Sequence, residues 1–148
     1  CARTFKTSNP FEIADGLGVL YQIGNLKQEG CYMFLKNHRY IFLSNRLNRQ
    51  DLILVMAHEL GHALFTDFLA SQTYTNFLGS KIKLLLHPNK TLILNSKLEL
   101  RANLFAAFLL ISDDLIEEYK GCTIEQMSRG TGYPKELIEL RIKSLVAL

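Results

Sequence analysis

Residues Asp51 to Phe65 read DLILVMAHELGHALF, and the rest of the chain is organised around this stretch. It holds one Gly and no Pro. Leu52, Val55, Met56, Leu60 and Leu64 recur at helical spacing, which predicts a buried helix. His58 and His62 are four residues apart, so on a helix they share one face about 6 Å apart, and both imidazoles can reach one ion. A tetrahedral zinc site needs that geometry. Glu59 is rotated by about 100° from His58 and stands beside such an ion instead of ligating it. From there its carboxylate can take a proton from water acidified by Zn2+ and relay it to a leaving amine, which is the chemistry of amide hydrolysis. The plain alternative is a pair of ordinary core or surface histidines. By composition alone H-E-x-x-H arises on the order of once in a hundred chains of this size, so the metal reading outweighs it.

The whole chain sets the bounds. Its 148 residues suit one domain with a real hydrophobic core. With 48% hydrophobic residues and mixed charges, a disordered class is excluded. A net charge of +3 is too mild to argue for nucleic acid. Cys1, Cys31 and Cys122 are odd in number and far apart, which favours reduced thiols in a cytoplasmic protein. The longest apolar run, Leu104 to Ile111, is too short for a bilayer, so no membrane association is expected. No signal-peptide pattern stands at the start, and an opening on Cys1 leaves a preceding segment open.

Upstream of the histidine stretch, SNPFEIADGLG (residues 8–18) predicts one short packing helix, with Asn9 as N-cap, Pro10 at the first position and Gly16 or Gly18 as the stop. GCYMFLKNHRYIFLSN (residues 30–45) alternates and is rich in Tyr, Phe, Ile and Leu, which predicts a β-hairpin turning at Asn37, His38 and Arg39. Its edge can either pair with an extended substrate or simply cover the core. Downstream, residues 66–80 lose periodicity, and Lys81 to Asn95 suit a second hairpin or an irregular flap around His87 and Pro88.

SKLELRANLFAAFLLI (residues 96–111) predicts a second long helix. Ser96 can cap it with Glu99 at the capping-box position. Glu99 also competes for the place of third metal ligand, completing a His₂Glu set with one position open for water. Ala102 and Ala106, opposite Gly61, are small enough for close helix packing, and Asn103 is one turn from Glu99, where it can orient a ligand. The metzincin pattern fails, because Phe65 and Phe68 replace its Gly and His. Asp67 and the pair Asp113/Asp114 rank below Glu99, the pair reading as the cap of a following helix.

The end of the chain, residues 122–148, reads as a helix, a turn at Gly130-Thr131-Gly132 and a second helix with an apolar stripe of Ile138, Ile142 and Leu145. That order is helix-turn-helix-like, and Arg129, Lys135, Arg141 and Lys143 can meet phosphate, although Glu125, Glu136 and Glu139 oppose it. The fold class expected is α+β: a zincin-like metallopeptidase domain over residues 1–148, with a small β-hairpin sheet beside the HExxH helix and a helical C-terminal part.

These residues resemble the ImmA/IrrE-type zinc metallopeptidases of bacteria, phages and other mobile elements. The resemblance runs through NPFEIADGLG, YIFLSN, VMAHELGHALF, TNFLGSK, ELRANLFAAFLL and IEQMSRGTGYP; its specific part is HELGH paired with ExxANxFA. It implies that His58, His62 and Glu99 bind zinc and that Glu59 is the catalytic base; no cofactor-binding residues besides the metal ligands are expected. It also implies a zinc endopeptidase whose partner is a protein substrate, a helix-turn-helix transcriptional repressor. Arg101, Phe108 and the missing Pro after Leu109-Leu110 depart from the usual pattern without removing a ligand. The oxyanion donor stays open among Tyr32, Tyr40, Tyr74, His87 and Arg101, and manganese remains an alternative ion. The competing function is a non-proteolytic module that binds a repressor or DNA.

Overall fold

A computed structural model describes residues 7–65 and 88–146. The first helix, α1 (Pro10–Leu17), begins and ends as its sequence dictates. The Asn9 side chain accepts a hydrogen bond from the Phe11 amide, Pro10 occupies the first turn, and Gly18 closes the helix at φ 72°, a left-handed conformation glycine adopts without a Cβ penalty. Ile13 and Ala14 are fully buried by it.

Three strands follow: β1 (Leu20–Gly24), β2 (Gly30–Leu35) and β3 (His38–Ser44), in the order β1-β3-β2. β2 and β3 form the expected hairpin, in register Leu35↔His38. Its turn lies at Lys36 and Asn37, both at positive φ, the two-residue geometry that matches strand twist. His38 is therefore the first residue of β3, not a turn residue. β1 was not foreseen; it pairs parallel to β3, with Leu20 opposite Tyr40. Its five residues are too few to announce themselves against a Gly-containing neighbourhood. On β3, Ile41 and Leu43 are fully buried while Tyr40 and Phe42 are half-buried, so the sheet turns one face to the core.

α2 (Arg49–Phe65) is the helix predicted from Asp51 onward, and the Asn48 side chain caps it by accepting from the Asp51 amide at 2.8 Å. α3 (Pro88–Leu110) starts eight residues before the expected Ser96. Residues 88–95 are thus helical, and the hairpin or flap reading is corrected there; residues 81–87 lie outside the described residues. Thr91, Ile93 and their neighbours argue for strand by propensity, but Pro88 sits at the helix start, where its fixed φ suits helix and its missing N–H goes unneeded. Ser96 then falls inside the helix and cannot cap it.

The chain closes with α4 (Asp113–Glu118), α5 (Ile124–Thr131) and α6 (Lys135–Val146). Ser112, not the aspartates, caps α4 by accepting from the Leu115 amide. Thr123 and Gln126 form a reciprocal capping box on α5. Arg141 is buried instead of facing phosphate: its Nε donates to the Ile111 carbonyl at 2.9 Å, an NH group donates to Asp113 at 2.6 Å, and its guanidinium lies over Phe108. Lys135 pairs with Glu125. Residues from α1, β3, α2, α3, α5 and α6 share one hydrophobic core, and α2 against α3 is its most extensive helix contact.

Candidate metal centre

The centre is built on the contact between α2 and α3. Met56, Ala57, Leu60 and Ala63 are fully buried on one side of α2, which sets the rotation of the helix about its axis. Gly61 then faces α3 so closely that a Cβ there would lie 2.8 Å from Ala102 Cα and 3.0 Å from its carbonyl oxygen. No side chain fits between these backbones. Ala102 is the small residue opposite, as its sequence position implies, and Phe105 Cβ is the next neighbour at 3.2 Å; Ala106 is buried and lines a cleft beside His58.

That approach brings Glu99, one turn before Asn103 on α3, to both histidines. Glu99 Oε2 is 3.1 Å from His58 Nε2, and Oε1 is 2.9 Å from His62 Nε2. The two imidazole Nε2 atoms are 3.2 Å apart. Asn103 Oδ1 accepts a hydrogen bond from His58 Nδ1 at 2.7 Å, so the proton of this imidazole sits on Nδ1 and the Nε2 lone pair faces the cluster. A lone pair facing a carboxylate oxygen and a second imidazole nitrogen is repulsive unless a cation or a proton lies among them. Metal–ligand bonds of about 2.0–2.2 Å at tetrahedral angles place ligand atoms roughly 3.3 Å apart; the two imidazole nitrogens are near that distance from each other, and each is near it from one of the two Glu99 oxygens. The donor set therefore fits a divalent ion. Burial, together with His58, holds the His62 imidazole below its ordinary pKa, with Glu99 opposing, which favours the neutral form a metal requires.

Glu59 stands apart from this triad. It is only 8% exposed. Burial, assisted by the charge of Glu99, pushes its carboxyl up to about 7. The start of β2 crosses just above it: a Cβ on Gly30 would lie 3.3 Å from Glu59 Cγ and 2.6 Å from Val55 Cγ1. Glu59 and His58 line a cleft of about 450 Å³ together with Gly30, Asn103 and residues of α6. The four sequence-predicted residues His58, Glu59, His62 and Glu99 are thus brought together. Among the described residues, His58, His62 and Glu99 are the group of side chains that could hold an ion, with Glu59 beside them. Gly30 and the α6 wall were missed, because nothing local in either segment signals the neighbour it meets.

The alternatives are placed elsewhere. Asp113 is engaged with Arg141, and Asp114 lies in the first turn of α4. Tyr32, Tyr40 and Arg101 do not line the cleft. Asp67, Tyr74 and His87 fall outside the described residues. No helix among the described residues is long and apolar enough to cross a membrane.

The model of the Peptidase_M78 family, described as the IrrE N-terminal-like domain, matches residues 9–143. A protein of Bacillus phage phi105, "Uncharacterized immunity region protein 2", is 32% identical over 143 residues, spanning 94% of this chain and 82% of its own. A match that takes in every element from α1 into α6 settles the kinship: the chain belongs to the Peptidase_M78 (IrrE N-terminal-like) family, an α+β, zincin-like family of metallopeptidases.

Proposed function

We propose that the protein is a zinc-dependent endopeptidase in which His58, His62 and Glu99 hold the ion and Glu59 is the catalytic base. The observation that carries this reading is the convergence of two imidazole nitrogens and one carboxylate within 4.8 Å of one another, beside a buried carboxyl that takes no part in the cluster. A divalent ion held there supplies Lewis acidity, acidifying water and polarising a peptide carbonyl. Glu59 accepts the proton from the attacking water and delivers it to the nitrogen of the broken amide. Burial raises the affinity of this carboxyl for a proton, which suits it to take the proton up and pass it on. Asn103 holds the His58 ring in its ligating tautomer. Residues 1–148 then act as one metallopeptidase unit, with the helical end as part of its cleft.

We further propose that the substrate is a helix-turn-helix transcriptional repressor of a phage or mobile element, met in the cytoplasm. The phage relative is named for an immunity region, which supports a phage regulatory protein as substrate. Among the described residues Cys31 and Cys122 are free thiols, in keeping with a reducing compartment.

The test is incubation of the zinc-loaded protein with the repressor encoded beside its gene. A fragment should appear on a gel, vanish with a chelator, and return with zinc. Glu59→Gln should keep bound zinc and lose about 10²–10⁴ in rate, because the amide keeps the shape but cannot accept the proton. Normal cleavage by that variant would remove Glu59 from its role. A repressor held intact in a stable complex would instead favour the binding module.

A further inference from the structure

The cleft beside Glu59 has a composition of its own. Leu54 and Val55 of α2, Ala106 of α3, and Leu137 and Leu140 of α6 make its apolar wall. Besides His58 and Glu59, its ionisable members are Glu29 and Glu136, both exposed, and no Lys or Arg lines it among the described residues. Leu140 is only half-buried and stands outside the hydrophobic core, so part of this wall stays open to solvent next to the proposed base. Apolar surface of that kind gains from being covered by a ligand. The acidic members repel phosphate, which turns the cleft away from nucleic acid and towards a cationic or neutral peptide. About 450 Å³ is enough for one large side chain with its flanking backbone.

We infer that this cleft is the specificity subsite: it takes a large aliphatic or aromatic substrate residue next to the scissile bond, while Glu29 and Glu136 select Lys or Arg beside that residue. The inference rests on the peptidase reading for its chemistry, but its binding content can be read separately. In this arrangement α6 is a substrate wall contributed by the part of the chain whose sequence reads as helix-turn-helix-like.

The experiment uses the zinc-loaded full chain and blocked hexapeptides in which two adjacent central residues vary. In parallel, fluorescein-labelled peptides of the same set are bound to Glu59→Gln protein and followed by anisotropy. Leu or Phe should exceed Ala by at least about tenfold in kcat/KM, and the same order should appear in binding. Lys or Arg beside it should be preferred over Glu. Leu140→Trp should fill the cleft and remove the preference for Leu over Ala, whereas Leu140→Met should retain it. Glu136→Lys, at an exposed position that cannot unfold the core, should abolish the preference for Lys. If no peptide is cut yet binding keeps this order and loses it in Leu140→Trp, the subsite stands and the peptidase reading falls. If peptides are cut or bound with no such order, or neither variant changes it, the subsite assignment is overturned.

Discussion

α2 carries His58, Glu59 and His62 within little more than one turn, whereas α3 supplies Glu99 and, 45 positions beyond His58, Asn103. The two contributions are held differently. The α2 histidines are 23% and 13% exposed in their side chains, and Glu59 is buried, while the Glu99 side chain is 55% exposed. On α2 the geometry follows from helical periodicity alone. On α3 it depends on how closely a second helix can approach, and that distance is set by one glycine.

If the two helices contribute equally to holding the ion, removing a ligand from either should be equally damaging. Zinc at about a hundred times its Kd should stabilise the wild-type protein by about 2.7 kcal/mol, read as a rise in melting temperature. His62→Ala and Glu99→Ala should both abolish that rise. Persistence of the rise in Glu99→Ala alone would show that α3 contributes only packing. A milder probe is Asn103→Ala, which leaves all three ligand atoms in place but frees the His58 tautomer. It should weaken zinc binding by about 10–100-fold in a chelator competition titration.

The approach of the helices is tested at Gly61. Alanine normally gains about 1 kcal/mol over glycine inside a helix. Here its Cβ meets the Ala102 backbone, which cannot rotate away, so Gly61→Ala should lose about 1–3 kcal/mol in denaturant unfolding. An unchanged or higher stability would mean that α2 and α3 can separate freely. The smallest effect belongs to a site remote from this contact: Asn9→Ala removes the α1 cap and should cost about 1 kcal/mol, with zinc affinity unaltered.

Much of the fold was legible because its signals are local. Asn9, Pro10 and Gly18 delimit α1, and the alternation in residues 30–45 gives the hairpin. Where the reading went astray, the local signal was ambiguous, too short or outweighed by a tertiary contact. Residues 88–95 favour strand by composition yet continue α3 into one long helix. Arg141 looks like a surface cation but its charge is satisfied by Asp113, Ile111 and Phe108, each brought to it from another segment. β1 carries too short a pattern to be seen and is fixed only by its pairing with β3.

At the centre the same division holds. His58, Glu59 and His62 were identifiable as a unit, since a helix repeats every 3.6 residues wherever it is placed. Glu99 was ambiguous between capping and ligation; α3 begins at Pro88, which removes Ser96 from any capping role and leaves ligation as the proposed one. The cleft wall on α6 could not be read at all, because the proximity of Leu137 and Leu140 to Glu59 is a property of how helices pack. Sequence by itself determined which residues share a helix face. Only the tertiary structure decided which faces meet, because that depends on the volumes buried between elements far apart in the chain.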